Sequence, residues 1–249
     1  MDTPIDSIET YCQAIGIPSP RYPSFDIRRF EDNMRTVKSR VEPFQHELFA
    51  VALKLEGGGS VRAGLDDYAM ADAQYVFFNS PFQMIGWEIV PDWKGYYVIF
   101  TREFAGVHLR IPDLIAEFPF LRLDRALPFP VPPKDAQQIH MIFDKLHAEY
   151  YGDAEDKFGF IAAYTNLLLR YVKRTFNAAP IDSGDLGLDN TTAEYRLVSR
   201  FQVLLEETFY QDGADRENPL SVAEIAERLF VHPNYLNSMV KSVTGQTAK

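Results

Sequence analysis

A change in the spacing of apolar residues near Lys134 constrains this chain more than any other feature. Before it, from residue 44 to about 123, short apolar stretches are broken by turn residues: ELFAVALKLEGGGSVRAG, AQYVFFNSPFQMIGWEIV and KGYYVIFTREFAGVHLRI. After it, apolar residues recur at helical spacing. The first pattern suits short antiparallel strands in a sandwich or small barrel. The sequence therefore predicts an α+β protein whose two halves differ in architecture. Most of the 16 prolines precede Lys134, and the stretch LPFPVPPK at 127–134 reads as the connector between the halves. Gly57, Gly58 and Gly59 are expected to supply the positive-φ positions of a hairpin, and Pro81 and Pro91 to punctuate later strands.

In the second half, Ile139, Ile142, Phe143, Leu146 and Tyr150 mark one face of a helix that Gly152 and Asp153 break. Phe158, Ile161, Thr165, Leu168 and Val172 mark a second helix, running to about Phe176, so an αα-hairpin is expected over 134–176. Its apolar stripes either cover the barrel or pair with a second copy. For pairing, the test residues are Ile139, Phe143, Leu146 and Tyr150. Residues 177–190, NAAPIDSGDLGLDN, hold little to bury and read as a linker. Helical spacing resumes with Tyr195, Leu197, Phe201, Leu204, Leu205 and Phe209, followed by the polar loop QDGADRENP.

The segment 219–249, PLSVAEIAERLFVHPNYLNSMVKSVTGQTAK, carries the strongest functional signal. Ser221 and Glu224 stand in capping-box spacing ahead of the apolar face Val222, Ile225, Ala226 and Leu229. Pro233 sits where a helix can begin, because a first-turn amide has no intrahelical partner to lose. Leu236, Met239, Val240 and Val243 then line one face, and Gly245 offers a stop. Two short helices joined through Phe230–His232, with small Ala226 allowing close approach, match helix-turn-helix geometry. The face opposite the apolar one presents Asn234, Tyr235, Asn237, Ser238 and Lys241. Asparagine amides can pair with adenine edges, and a lysine can neutralise a phosphate.

The run SVAEIAERL…VHPNYLNSMVKSVTGQTA resembles the first helix-turn-helix of AraC/XylS-type transcription regulators, in its S-x-x-E-I-A opening, its x-P-x-Y-L start and its K-x-x-T-G-x-T exit. The resemblance implies a cupin-like sensing barrel over 1–133, a helical dimerisation hairpin over 134–176, a linker over 177–190 and a partial DNA-binding unit over 191–249. It also implies a small-molecule effector in the barrel, with His46, Phe49, Trp87 and Tyr97 as contacts, a homodimer, and DNA as partner. Members of the family continue into a bridging helix and a second helix-turn-helix, so a chain ending at Lys249 is expected to bind DNA weakly. Asn237 and Ser238 replace the family's usual base-contacting residues, and Phe230 occupies a turn position that favours tolerance of positive φ.

Charge complicates DNA binding. Of the formal net charge of −10, the segment 191–249 carries only −2, from six basic and eight acidic residues. The acidity lies mostly outside the expected DNA-reading region, but that region is not basic, whereas affinity for DNA rests on lysine and arginine. A protein-binding role for the terminal helices is the alternative. The single cysteine, Cys12, leaves no internal disulfide and suits a reducing, cytoplasmic setting. The acidic N-terminal stretch and the lack of a long apolar run argue against secretion or membrane insertion. No catalysis, cofactor or metal is expected. A cupin metal site wants two or three histidines and a carboxylate, and here only His46, Glu47 and a distant His108 offer themselves. His140 and His147, seven apart on one helix, suit a surface or interface.

Overall fold

In the computed structural model, which describes residues 5–64, 66–70, 73–111, 114–178, 193–211, 220–244 and 247–248, the first half of the chain forms two antiparallel sheets. The strands are β1 (Phe25–Arg29), β2 (Arg40–Gln45), β3 (Phe49–Glu56), β4 (Gly59–Ala63), β5 (Asp66–Ala69), β6 (Tyr75–Asn79), β7 (Met84–Ile89), β8 (Lys94–Phe100) and β9 (Phe129–Pro130). One sheet runs β1-β8-β3-β6-β9 and the other β2-β7-β4-β5. Each keeps two edges, so the strands face one another as an open sandwich and the expected closed barrel does not form among the described residues.

The glycine run differs from expectation for the same reason. β3 pairs with β6 and β8, whereas β4 pairs with β5 and β7. The segment Gly57–Gly59 therefore turns the chain from one sheet into the other and closes no hairpin. Gly57 adopts φ of 110°, and a Cβ there would collide with Trp93, whose Nε1 donates to the Gly58 carbonyl at 2.8 Å. Lack of a side chain is what lets the indole close this corner.

Alternation sorts the five-stranded sheet into two faces. Phe49, Val51 and Leu53 of β3, Val76 and Phe78 of β6, and Val98 and Phe100 of β8 point away from the second sheet into the main core. That core is completed by the helices α5 (Pro133–Tyr151) and α6 (Lys157–Ala178). Ile139, Phe143, Leu146 and Tyr150 all have zero exposure there. The expectation that these four residues pair with a second copy is thus corrected: the sheet itself takes up the stripe. Each such buried side chain contributes roughly 1.5–3 kcal/mol. Tyr150 adds a polar tie, its hydroxyl donating to Asp26 Oδ1 at 2.6 Å and accepting from the Arg21 amide at 3.0 Å.

Several elements were not read from the sequence. Helix α1 (Ile8–Ile15) is capped by Ser7, whose Oγ accepts from the Thr10 amide, and is stopped by Gly16 at φ 79°. It closes one side of the sandwich, and Ile5 ahead of it bridges to His46. A short α2 (Phe30–Asn33) follows β1 directly. Beyond β8, the stretch expected to continue as strand instead coils into α3 (Arg102–Phe104), capped by Thr101, and a wider π turn over Ala105–Leu109. The turn α4 (Leu114–Glu117) follows. At the other end, α7 (Ala193–Gln211), α8 (Val222–Arg228) and α9 (Pro233–Thr244) form a separate apolar cluster that also takes in Leu123. The expected linker, apart from Asn177 and Ala178 at the end of α6, lies outside the described residues, as does most of the polar loop after α7.

Candidate functional site

Two features of this frame invite function: a cavity between the sheets and an exposed polar face on α9. The cavity exists because the inner positions of the facing strands are small, namely Ala50 and Ala52 on β3 and Ala63 on β4. It holds about 840 Å³ when the space of its open mouth is counted in. Phe30, Phe77, Trp87, Trp93 and Tyr97 wall it, and Tyr11, Asn33 and Asn79 add uncharged polar groups. Asn33 Nδ2 donates to the Tyr97 hydroxyl at 3.4 Å. Burial holds that phenol well above its ordinary range, so Tyr97 stays neutral.

The four ligand contacts expected from sequence divide evenly. Trp87 and Tyr97 line the cavity. Phe49 does not: one residue out of step with Ala50, it lies on the opposite face of the sheet and stacks on Phe100 at 5.7 Å. His46 is fully buried beside the cavity rather than in its wall. There its Nδ1 accepts from the Leu48 amide at 3.1 Å and its ring meets Tyr11 edge-on. Burial lowers its pKa to about 4, so the imidazole is neutral. Among the described residues, no three His, Cys, Asp or Glu side chains come close enough to hold a metal.

In the helix pair the capping box forms: Ser221 Oγ accepts from the Glu224 amide, and the Glu224 carboxylate accepts from the Ser221 amide at 2.7 Å. Ile225, Ala226 and Leu229 pack against Leu236, Val240 and Val243 as expected. Phe230 makes the turn at φ 58° and is 91% exposed. A start signal missed in the sequence is His232, whose Nδ1 accepts from the Asn234 amide at 3.2 Å. Of the residues expected to read DNA, Asn234, Tyr235, Ser238 and Lys241 are exposed. Asn237 is half-buried, and its Oδ1 accepts from the Ala248 amide at 2.9 Å, which draws its carbonyl away from an outside partner.

The helix pair does not stand free of the sandwich. Gln45, at the end of β2, donates from Nε2 to the Val243 carbonyl in the last turn of α9 at 2.8 Å and to the Phe82 carbonyl at 3.0 Å. Phe82, at φ 67°, belongs to the turn between β6 and β7, two strands that line the cavity. From the same turn, Ser80 meets Gln202 of α7 at 3.5 Å, while Ser199 of α7 donates to Asp124 at 2.7 Å. A tie between residues nearly 200 positions apart has no local sequence signature.

Another surface also went unread. On the outer side of α6, Phe160 and Leu167 are 45% and 41% exposed, and Tyr164 and Tyr171 are half-buried. The spacing of these four, alternately four and three residues, is that of a coiled-coil seam.

Comparison with known proteins gives only loose structural likenesses. Neither a family model nor a curated protein matches this chain. Among solved structures, it is similar to the AraC-like transcriptional activator CuxR at 10% identity and a TM-score of 0.43, covering 78% of this chain and 61% of that one. It is also similar to ToxT from Vibrio cholerae, at 11% identity and a TM-score of 0.33 over 90% of this chain and 96% of ToxT. A structure of ToxT with a bound unsaturated fatty acid gives 12% identity and the same TM-score of 0.33, covering 90% and 93%. Superpositions this loose carry no assignment of ligand or residue roles. Among the described residues, no helix is long and apolar enough to cross a membrane.

Proposed function

We propose that this chain is a ligand-responsive transcription regulator of the AraC type, which senses a small molecule between its sheets and presents α9 to the DNA major groove. The observation that carries the reading is the Gln45 bridge. It joins the last turn of the exposed helix to a turn whose flanking strands wall the cavity. A ligand that alters the spacing of β6 and β7 would bias that bridge, and differential contact of this kind is what couples two sites. Asn234, Tyr235, Ser238 and Lys241 form the proposed DNA face, with Asn237 as a support for the chain end. The reading assigns the protein no catalysis.

Dimerisation is part of the proposal, on a different face from the one the sequence suggested. Phe160, Tyr164, Leu167 and Tyr171 on α6 are the proposed seam, which leaves the inner stripe to the core. A dimer of this kind presents two recognition helices to paired half-sites.

A second reading, in which α8 and α9 dock a protein, is favoured by the exposed rings of Phe230 and Tyr235 and by the low positive charge of the segment. Selection from a random duplex library followed by gel-shift titration separates the two. The regulator reading expects a selected duplex whose affinity falls with salt, and Lys241→Ala should flatten the log–log salt slope by about 1. Failure to enrich any duplex, or an affinity indifferent to salt, would overturn it.

A further inference from the structure

We propose that the cavity takes an uncharged aromatic molecule of one or two rings bearing a hydroxyl, amide or similar group at its edge. The proposal rests on the sensing reading above and names its ligand class. Three observations converge. First, the walls are aromatic and arranged for both faces and edges of a flat guest: Phe30 lies 5.3 Å from Trp93 at 85° and 5.5 Å from Tyr97. Aromatic rings prefer such tilted and edge-on neighbours. Second, Ala50, Ala52 and Ala63 leave the floor bare where larger side chains would have closed the space.

Third, the described lining of the cavity carries no inward-facing charge. Among the described lining residues, Arg62 is the one ionisable at neutral pH. Alternation with the inward Val61 and Ala63 puts its side chain on the outer face of the four-stranded sheet, where its guanidinium holds Asp67 at 2.8 and 2.6 Å. Two buried cations flank the cavity without lining it. Arg28 donates to Asp26 at 2.7 Å, and Lys54 donates to the Ala73 carbonyl at 3.1 Å. An anionic guest would be stripped of water and would meet, among the described lining residues, no cation but the outward-turned Arg62. A cationic guest would compete with Lys54, whose Nζ already lies 5.9 Å from the Trp93 ring centre. A neutral polar group instead meets the Asn33 amide, which offers both a donor and an acceptor, and the Tyr97 hydroxyl.

The chain has two tryptophans, and both line the cavity, so its own fluorescence reports on occupancy. Three nitroaromatic quenchers of similar size carry a neutral, an anionic or a cationic substituent: 4-nitrobenzyl alcohol, 4-nitrobenzoate and 4-nitrobenzylamine. The full chain is titrated with each. Saturable quenching by the alcohol is expected at an affinity at least about tenfold tighter than for either charged probe. Ala52→Leu should abolish it, with circular dichroism to check folding. Should that variant unfold, Asn33→Ala, which keeps the walls, should weaken the alcohol alone. Equal or tighter binding of a charged probe would overturn the proposed class and leave the sensing reading standing. No saturable quenching by any of the three would overturn it too. Alcohol binding that leaves the affinity of the selected duplex unchanged would instead count against the regulator reading.

Discussion

Replacing Gln45 by alanine tests the physical link between the sandwich and the DNA-facing helix. The Val243 carbonyl belongs to the last turn of α9, where carbonyls have no amide four residues ahead to bind them. Gln45 Nε2 supplies that missing donor at 2.8 Å and ties it to the Phe82 carbonyl at 3.0 Å. Each bond contributes about 0.5–1.5 kcal/mol net. Opening of α9 breaks only the bond to Val243, so its loss removes about 0.5–1.5 kcal/mol from the docking of α9, or roughly 2- to 12-fold in its opening equilibrium at about 1.4 kcal/mol per decade. Hydrogen exchange read by mass spectrometry on a peptide spanning Pro233–Thr244 should show protection reduced by that factor. A peptide from β3 should be unchanged, since its ladder lies in the other sheet. Gln45→Glu should do at least as much, because a carboxylate only accepts and would face two carbonyls. Protection in the Gln45→Ala protein within about twofold of the parent would show that the bridge carries no coupling, and the reasoning behind the regulated helix would fail.

Leu146→Ala should destabilise the fold by about 2–5 kcal/mol in urea titration, because its side chain is fully buried in the main core. Leu167→Glu should leave stability within about 1 kcal/mol yet shift light scattering from dimer to monomer; a dimer that survives it removes the proposed seam. Phe230→Gly should raise stability by about 0.5–1 kcal/mol, since the ring is exposed and φ of 58° strains any residue with a Cβ. A loss of stability there would mean that the ring packs on something. His46 titrates at about 4 in the fold because burial disfavours its charged form, against 6.5 ordinarily. The unfolded chain therefore binds the proton first, and stability held above pH 6.5 is lost as pH falls toward 4. Between pH 7 and 5 that loss is about 2 kcal/mol at about 1.4 kcal/mol per pH unit. His46→Gln should flatten the profile, and a parent protein equally stable at both values would contradict the assignment.

Much of the local architecture was legible in residue spacing. Ser221 and Glu224 announce a helix start that forms as read, and Pro233 begins the next helix. The stripe Ile139, Phe143, Leu146 and Tyr150 is a buried helical face, as its period required. Periodicity identifies which side of an element is apolar because backbone geometry fixes where each side chain points. It does not identify what that side meets. The same stripe serves a sheet or a second copy equally well, and only the folded chain showed that the five-stranded sheet claims it.

The ligand residues show the same limit from another side. Phe49 and Ala50 are neighbours, and aromatic character made Phe49 the better candidate, yet alternation turns Phe49 to the helices and Ala50 to the cavity. A cavity is made by what is small, so its floor leaves no chemical mark in the sequence. The amino-acid order by itself determined the long helices, their apolar faces and the capped helix pair, all set within a few residues of chain. Tertiary structure alone decided that the strands form two sheets, that an aromatic-walled space lies between them, and that Gln45 reaches Val243. Those features depend on segments meeting across long stretches of chain, where the meeting is settled by the packing of the whole.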